Sequence, residues 1–400
     1  MTTTDLTTDH SRAKADGTHS HGLASTPPNS SRADRPKSFD LDVFPVPTGR
    51  EEQWRFSAMR DLAPLFVDRA VEGHLDWTTS ELPAGVTLTE ISVDEARKRS
   101  VSAPGDRASA IAAAHSGGAM ALTVAPGTVV ESPVTITMHG TGTDVRGHLL
   151  VESGANSEAS VVIERTGSAT YSEFISVNVG QNAGLNLVLL QTWEDDAIHS
   201  GEVHARLSRD ARLRGSVVTL GGKVVRLNTT ASLAGVGASV DLFGLYFADS
   251  GQHQEHQLFV DHMVPKCRSR VTYKGALAGA SARTVWIGDV LIRKEAEGTD
   301  TYELNRNLIL TDGARADSVP NLEIETGLID GAGHASATGR FDDEQMFYLR
   351  SRGIPEILAR KLVVRGFFAD LIREIGVPEV EVGLMNAIEL ELDMVEADYE

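Results

Sequence analysis

The sequence contains a single cysteine, Cys267, and this scarcity narrows the classes of protein it can belong to. One thiol cannot form an internal disulfide, so nothing in the chain depends on an oxidising compartment. We also find neither a signal peptide nor an apolar run long enough to span a bilayer. The sequence therefore predicts a cytoplasmic protein with no membrane segment.

Positive charge is also in deficit, with 37 Lys and Arg residues against 56 Asp and Glu residues and a formal net charge of −19. Proteins that wrap nucleic acid carry a basic surface, so we expect no nucleic-acid partner. The hydrophobic content of 41% is sufficient for a core. A length of 400 residues predicts two or three structural units, unless an elongated repeat accounts for it.

Short catalytic and nucleotide-binding motifs are missing as well. GxSxG, HExxH and paired CxxC do not occur. The run GGKVV at Gly221 lacks the earlier glycine of a phosphate loop, and Val224 replaces the hydroxyl that would bind magnesium. In GVGASV, Val240 replaces the third glycine of a dinucleotide fingerprint. We therefore expect this chain alone to bind no nucleotide.

What the sequence does contain is a repeat of alternating strands and small-residue turns. The turn alanines Ala155, Ala183 and Ala211 are 28 residues apart, and Ala238 follows 27 residues later. Regular strands, small corner residues and a period between 20 and 50 residues are typical of a β-solenoid, in which each turn buries its inward side chains against the next. A β-sandwich would place its strands closer together, at 8 to 12 residues.

The sequence on either side of this repeat differs from it in composition and pattern, so we divide the chain into four regions. Residues 1–38 are rich in Thr, Ser, His and Pro and predict a disordered tail. A mixed region of helices and strands, opened by a capping box, covers residues 39–105. The solenoid occupies residues 106–340, and the amphipathic patterns of residues 341–400 predict a helical domain.

Histidines provide the candidate metal ligands. QHQEHQLFVDHMVPKCRS contains His256, His262 and Cys267, whose side chains suit zinc or iron. Alternation along a strand puts His256 and His262 on one face and His253 on the other, so these ligands diverge and form only a weak, secondary candidate. His334 lies among Gly, Ala and Ser in GAGHASATGR, where another backbone can approach closely. It can ligate a metal, or it can simply hydrogen-bond at the junction.

Several longer motifs resemble one known family. The runs PNLEIET (Pro320 to Thr326), GRFDDEQMFYLRSRGI (Gly339 to Ile354) and RGFFADLI (Arg365 to Ile372), together with the His334 loop, resemble the SufB/SufD family of iron-sulfur cluster assembly proteins. Upstream, QHQEHQLFVDHMVPKCRSRVTYKGAL, TDTYELNRNLILTDGARADS and PTGREEQWRF are most similar to SufD members. The similarity covers essentially all of the chain after the tail.

The resemblance implies a fold and a set of partners. The fold is a right-handed parallel β-helix between an N-terminal helical region and a C-terminal helical domain. The partners are a SufB-like subunit, which forms a heterodimer across the β-helix, and a SufC-like ATPase on the C-terminal helices. The sequence leaves open a homodimer of the isolated chain. Candidate residues for docking the ATPase are Arg365, Phe367, Phe368 and Leu371.

One departure from the family pattern is informative. Many relatives read CSHGAT where this chain reads AGHASAT, so Ala332 stands at the position of a SufB cysteine while His334 keeps the histidine. Clusters are usually held by about four cysteine thiolates, and one cysteine cannot supply them. We therefore predict that His334 is an iron or cluster ligand at a site shared with SufB, where a transient cluster or iron is held.

The predicted function is a non-catalytic scaffold subunit, with ATP hydrolysis in the SufC-like partner. Two alternatives stay open. A purely architectural subunit would carry no cluster ligand, and His334 would only be hydrogen-bonded. A self-contained β-helix enzyme acting on carbohydrate would instead bring catalytic side chains together in a groove of the solenoid.

Overall fold

The structure, a computed structural model, describes residues 31–340 and 343–397, so most of the predicted tail lies outside the described residues. The chain divides into a unit from Met1 to Arg35 and a unit from Pro36 to Glu400. In the first, Arg32–Asp34 form one turn of 3-10 helix, and the Ser31 side chain accepts a hydrogen bond from the backbone of Ala33. The second unit contains all the elements described below.

Sixteen strands of the second unit form one continuous sheet, and they bear out the predicted parallel β-solenoid, with about 8 turns. From β4 onward every neighbouring pair along the solenoid is parallel, as stacked turns require, and the β4–β5 pair has one shift of register between Thr141 and Thr143. The strands are β1 (Asp76–Thr79), β2 (Val86–Ile91), β3 (Ala119–Val124), β4 (Val134–Ser153), β5 (Glu158–Val179), β6 (Gly184–Trp193), β7 (Ile198–Leu207), β8 (Arg212–Leu220), β9 (Val224–Leu233), β10 (Ser239–Ala248), β11 (His253–His262), β12 (Arg268–Leu277), β13 (Arg283–Ile292), β14 (Asp300–Ile309), β15 (Arg315–Ile324) and β16 (Gly331–Arg340).

The strands line two faces of a flattened solenoid. Beyond β5, the even-numbered strands stack on one another along one face and the odd-numbered strands along the other. The long strands β4 and β5 bend from one face to the other, so the first half of β5 pairs with β6 and its second half with β7. Side chains that point inward form the largest apolar cluster of the protein.

One corner of the solenoid explains the predicted turn alanines Ala183, Ala211 and Ala238, whereas the predicted Ala155 lies two residues before the corner position, which Ser157 occupies. At each turn one residue has positive φ, and these residues are Asn156, Asn182, Asp210, Gly237, Lys266 and Gly298. The residue that follows is small and buried, and these residues are Ser157, Ala183, Ala211, Ala238, Cys267 and Thr299. Backbone hydrogen bonds join this column from turn to turn, for example from Arg268 to the carbonyl of Ala238 at 3.1 Å. Cys267 is therefore a corner residue in the alanine column.

The N-terminal region covers the outer face of the odd-numbered strands. It contains 3-10 helices at Leu41–Val43, Glu52–Trp54 and Ala63–Phe66, together with α1 (Met59–Leu62), α2 (Val93–Arg99) and α3 (Arg107–His115). Trp54, Leu62 and Leu65 are buried here and share a cluster with Val224 of the solenoid. Helix α3 falls within the range predicted for the solenoid, because Asp106 caps it and its alanines favour helix. The solenoid ladder begins after it.

Three C-terminal helices follow the solenoid, as the amphipathic pattern predicts: α4 (Asp343–Ser351), α5 (Glu356–Arg373) and α6 (Pro378–Ala397). Helices α5 and α6 pack on the outer face of the even-numbered strands through Phe368, Leu371 and Ile388, which share a cluster with Leu245 and Phe247 of β10. Both outer faces of the solenoid are thus covered in its middle turns. Among the described helices, none is long and apolar enough to cross a membrane.

Candidate functional site

The two ends of the solenoid differ, and the C-terminal end is open. At the N-terminal end, β1 and β3 pair with β4. At the other end, β15 pairs with β13 and β16 pairs with β14. Within residues 31–340 and 343–397, no further strand pairs with the outer edge of either strand. We call these two strands the open end.

His334 lies in the middle of the open end. In the parallel ladder it stands opposite Glu303 of β14, and Ser336 stands opposite Asn305. Glu303 and Asn305 are buried inside the solenoid, and the same register places His334 and Ser336 on the interior side of the last turn. His334 is nevertheless exposed, because no described turn covers it. Its imidazole is therefore accessible at the mouth of the solenoid.

A hydrogen-bonded network beneath the open end holds these strands in place. The Tyr246 hydroxyl donates to Asn307 Oδ1 at 2.7 Å and accepts from Asn305 Nδ2 at 2.9 Å. Asn307 Nδ2 also donates to Thr338 Oγ1 of β16 at 3.3 Å. Ser336 Oγ bonds Ser318 Oγ of β15 at 2.7 Å and joins the two strands of the open end. A satisfied polar network of this kind fixes one arrangement of the strands.

The secondary metal candidates do not come together in the structure. His256 and His262 both point into the solenoid, six residues and about 20 Å apart along β11. His256 Nε2 bonds Thr219 Oγ1 at 2.9 Å, and burial lowers the pKa of His256 to about 3. His262 Nε2 bonds Ser269 Oγ at 2.9 Å, and burial lowers its pKa to about 4. These histidines are neutral core residues.

Cys267 does not complete a metal site either. Its thiol lies in the corner column, with Sγ 3.4 Å from the carbonyl of Gly235, and burial raises the pKa of the Cys267 thiol. A thiol rather than a thiolate is therefore present at neutral pH, and metals bind the thiolate. No group of three His, Cys, Asp or Glu side chains among the described residues is arranged to hold a metal ion.

The four predicted docking residues divide into two pairs. Arg365 is exposed and forms an ion pair with Glu389 at 2.8 Å, and Phe367 is partly buried beside it. Phe368 and Leu371 are buried against the solenoid in this chain's own core, so in this arrangement they cannot contact a partner. The apolar stripe of α5 is buried, and the surface it meets belongs to the same chain.

An exposed apolar surface that the sequence did not single out lies on α4 and the first half of α5. Phe347 is 75% exposed, and Tyr348, Leu358 and Leu362 are also exposed. We call these four residues the α4–α5 patch. Arg352 lies over the Tyr348 ring, with its guanidinium carbon 5.2 Å from the centroid. Aromatic and apolar side chains exposed together are the signal of an interaction surface.

Comparison with known proteins shows which family the chain belongs to. The model described as SUF system FeS cluster assembly, SufBD core domain, matches residues 136–367, which span the solenoid and most of α5. The chain belongs to the SufBD family. This SufBD protein is 51% identical over 369 residues to an iron-sulfur cluster assembly SufBD family protein of Mycobacterium bovis, covering 90% of this chain and 93% of that protein.

Two further relatives place this SufBD protein within the family. It is 48% identical over 368 residues to a SufBD family protein of Mycobacterium leprae, covering 90% of this chain and 94% of that protein. It is 30% identical over 196 residues to the iron-sulfur cluster assembly protein SufD of Escherichia coli, covering 49% of this chain and 46% of that protein. The family resemblance is confirmed, and the similarity to SufD is distant.

Proposed function

We propose that this SufBD protein is the SufD-like subunit of a cytoplasmic scaffold that builds nascent iron-sulfur clusters. It pairs with a SufB-like subunit, and a SufC-like ATPase hydrolyses ATP while this chain itself is non-catalytic. The observation that carries the proposal is the position of His334, exposed at the mouth of an open solenoid end. Family membership favours this role over a carbohydrate-active enzyme.

The chemistry of the available ligands supports a shared site. The one thiol of the chain is buried in the corner column, whereas the imidazole of His334 is exposed. Histidine can replace thiolate as a ligand of an iron-sulfur cluster. A cluster bound at the open end would take one imidazole from this chain and its remaining ligands from a second subunit. The cluster is the cargo of the assembly and leaves it when complete.

The open end also supports the pairing itself. The outer edges of β15 and β16 expose backbone groups that can pair with strands of another chain. A second, more distant SufBD family protein of Mycobacterium bovis matches 223 residues of this chain at 26% identity. One species thus contains both a similar and a divergent family member, as a pair of unlike subunits requires. Pairing at this edge would bring the partner's side chains next to His334.

Docking of the ATPase is assigned to the α4–α5 patch together with Arg365. The patch is apolar and aromatic and lies away from the helix face that packs on the solenoid. Arg365 is about half exposed on the same helix, which places a charge near the apolar residues. An apolar centre with charged residues at its rim is typical of a protein interface.

The test of His334 is cluster formation by the anaerobic complex with SufB-like and SufC-like partners. His334→Ala should leave the complex assembled and lower its cluster content at least several-fold, because one ligand of the shared site is lost. His139→Ala, at another exposed histidine, is the matched control and should form clusters normally. Full cluster content in an assembled His334→Ala complex would instead make this chain a purely architectural subunit.

The docking proposal has its own test. Leu358→Asp and Leu362→Asp should weaken ATPase binding about tenfold or more, because each buries a charge in the interface. Val382→Asp, at an exposed apolar position on α6 outside the patch, is the control and should bind normally. Binding is measured by titration of the ATPase onto the full chain. Equal affinity of all three variants and the wild type would remove the α4–α5 patch from the interface.

A further inference from the structure

A buried arginine on the outer face of the solenoid has no role in the site described above. Arg146 of β4 stands opposite Ser172 of β5, and both lie on the outer face of the sheet, because their neighbours Val145 and Tyr171 belong to the interior cluster. Arg146 is 5% exposed and Ser172 is 0% exposed. Helix α3 packs against β4 and β5, and its residues Ala112 and Ala113 are buried.

The hydrogen bonds of the Arg146 guanidinium leave one whole edge unused. Nη1 donates to the carbonyl of Val145 at 3.0 Å. Nε and Nη2 are buried and find no hydrogen-bond partner among the residues described here, and the same is true of Ser172 Oγ. The N–H groups of Nε and Nη2 point side by side, and this edge binds both oxygens of a carboxylate or phosphate. Nε, Nη2 and the Ser172 hydroxyl, on neighbouring strands, thus all lack an acceptor among the described residues.

Two other buried arginines, Arg226 and Arg165, each have a carboxylate partner from this chain. Arg226 lies two strands beyond Ser172 in the same row, and it bonds Asp106 Oδ2 at 3.0 Å and Glu255 Oε1 at 3.2 Å. Arg165, inside the solenoid, bonds Glu173 Oε2 at 2.7 Å. Both therefore have a carboxylate partner from the chain. Arg146 is equally buried, and no ion pair joins it to a described carboxylate.

The nearest carboxylate is already engaged. Asp144 lies two residues before Arg146 on the same strand and forms an ion pair with Arg69 at the surface. Arg69 and Asp144 neutralise each other, so the charge of Arg146 remains uncompensated, and burial lowers the pKa of Arg146. A buried charge without a partner is strongly unfavourable. An anion on the unused edge would remove that penalty.

We infer that Arg146 and Ser172 bind a small oxyanion of the phosphate, sulfate or carboxylate class. The Nε and Nη2 edge of Arg146 takes two oxygens of the anion, and the Ser172 hydroxyl donates to one of them. This site is independent of the cluster chemistry proposed for His334.

The experiment begins with identification of any anion that is already bound. The full chain is purified in chloride buffer and unfolded in guanidinium chloride, and ion chromatography of the released anions identifies phosphate, sulfate or a carboxylate. The protein is refolded without the released anion and is then titrated calorimetrically with phosphate, sulfate and acetate at constant ionic strength. We expect saturable binding of at least one of the three, and the preferred anion separates tetrahedral oxyanions from carboxylates.

Variants connect the binding to the two residues. Arg146→Met should abolish the saturable binding, and Ser172→Ala should weaken it about tenfold through the loss of one charge-assisted hydrogen bond. The double variant Arg69→Met with Asp144→Asn is the matched control, because it removes the neighbouring ion pair without a change in net charge and leaves the buried edge intact, so binding should persist. If Arg146→Met does not fold, the anion affinity of Ser172→Ala tests the inference in its place. The inference is overturned if the wild type binds none of the three probes or if Ser172→Ala and Arg146→Met bind like the wild type.

Discussion

At the scale of single residues, the most unusual feature is a charged network inside the solenoid. Glu173 accepts hydrogen bonds from Arg165 Nη2 at 2.7 Å and from the Tyr171 hydroxyl at 3.0 Å, and His199 Nε2 lies 3.0 Å from its other oxygen. Burial alone would raise the pKa of Glu173, but the charge of Arg165 and the hydrogen bond with His199 lower it to about 2. The carboxylate therefore stays ionised throughout the physiological range.

Breaking this network from one side should destabilise the protein strongly. Arg165→Met should lower the free energy of unfolding by about 3 to 5 kcal/mol, because it leaves an uncompensated carboxylate in the core. The double variant with Glu173→Leu should recover much of that loss. Arg212→Met removes one partner of an exposed ion pair with Glu158 and should cost less than about 1 kcal/mol. Urea unfolding checks all three, and an equal loss in Arg165→Met and Arg212→Met would contradict this account.

Buried histidines should make stability depend on pH. Burial lowers the pKa of His148 to about 4, of His256 to about 3 and of His262 to about 4. The unfolded chain binds these protons below about pH 6.5, whereas the folded chain does not until the pH falls near these lower values. These histidines therefore do not lower the free energy of unfolding above about pH 6.5. As the pH falls from there towards the folded-state pKa, each histidine lowers the free energy of unfolding by about 1.4 kcal/mol per pH unit.

The test is the slope of unfolding free energy against pH between pH 6 and pH 5. His262→Gln should reduce the slope, since glutamine keeps a hydrogen-bonding group beside Ser269 but does not titrate. His139→Gln, at an exposed position, controls for loss of a histidine as such. A slope in His262→Gln equal to that of the wild type would show that this buried imidazole is not responsible.

At the scale of secondary-structure elements, α5 joins the helical domain to the solenoid. Phe368 is fully buried in that contact, and Lys274 of β12 donates to the carbonyl of Phe367 at 2.7 Å and to Asp370 Oδ1 at 2.5 Å. The Lys274 ammonium also lies 5.2 Å from the centroid of the Phe367 ring. Both apolar burial and a nearly buried charge therefore fix this helix on the even-numbered strands.

Loss of the Phe368 ring should loosen the helices while the solenoid stays folded. Phe368→Ala should cost about 3 to 5 kcal/mol of local stability, and limited proteolysis should cleave α5 and α6 first. Phe347→Ala, at an exposed ring, should change stability by less than about 0.5 kcal/mol and digest like the wild type. Cleavage within the solenoid strands before the helices would contradict the assignment of Phe368 as the anchor.

The sequence predicts the elements better than it predicts which surfaces they cover. The spacing of Ala183, Ala211 and Ala238 predicts the solenoid because one small residue must occupy the corner of every turn. The pattern of α5 predicts a buried stripe, but the same apolar residues suit a partner's surface as well as the chain's own strands. Some polar inward positions have partners from other strands that no local pattern reveals, as His256 does with Thr219 of β8.

At the scale of the whole molecule, both faces of the solenoid are covered in the middle turns, and one end is open. The N-terminal region covers the odd-numbered strands, the helices cover the even-numbered strands, and β1 and β3 pair at the first end. The open end is therefore the place where another chain can extend the sheet. The sequence predicts His334 as a candidate ligand, whereas its accessibility follows from this arrangement of covered and open surfaces.

The central claim is that His334 contributes a ligand to a cluster shared with a second subunit. The most direct measurement is pulsed electron paramagnetic resonance of the reduced complex, assembled anaerobically with only the histidines of this chain labelled with nitrogen-15. We predict a hyperfine coupling to nitrogen-15 that is absent from the assembled His334→Ala complex. A cluster signal without any coupling to the labelled chain would contradict the claim and assign every ligand to the partner.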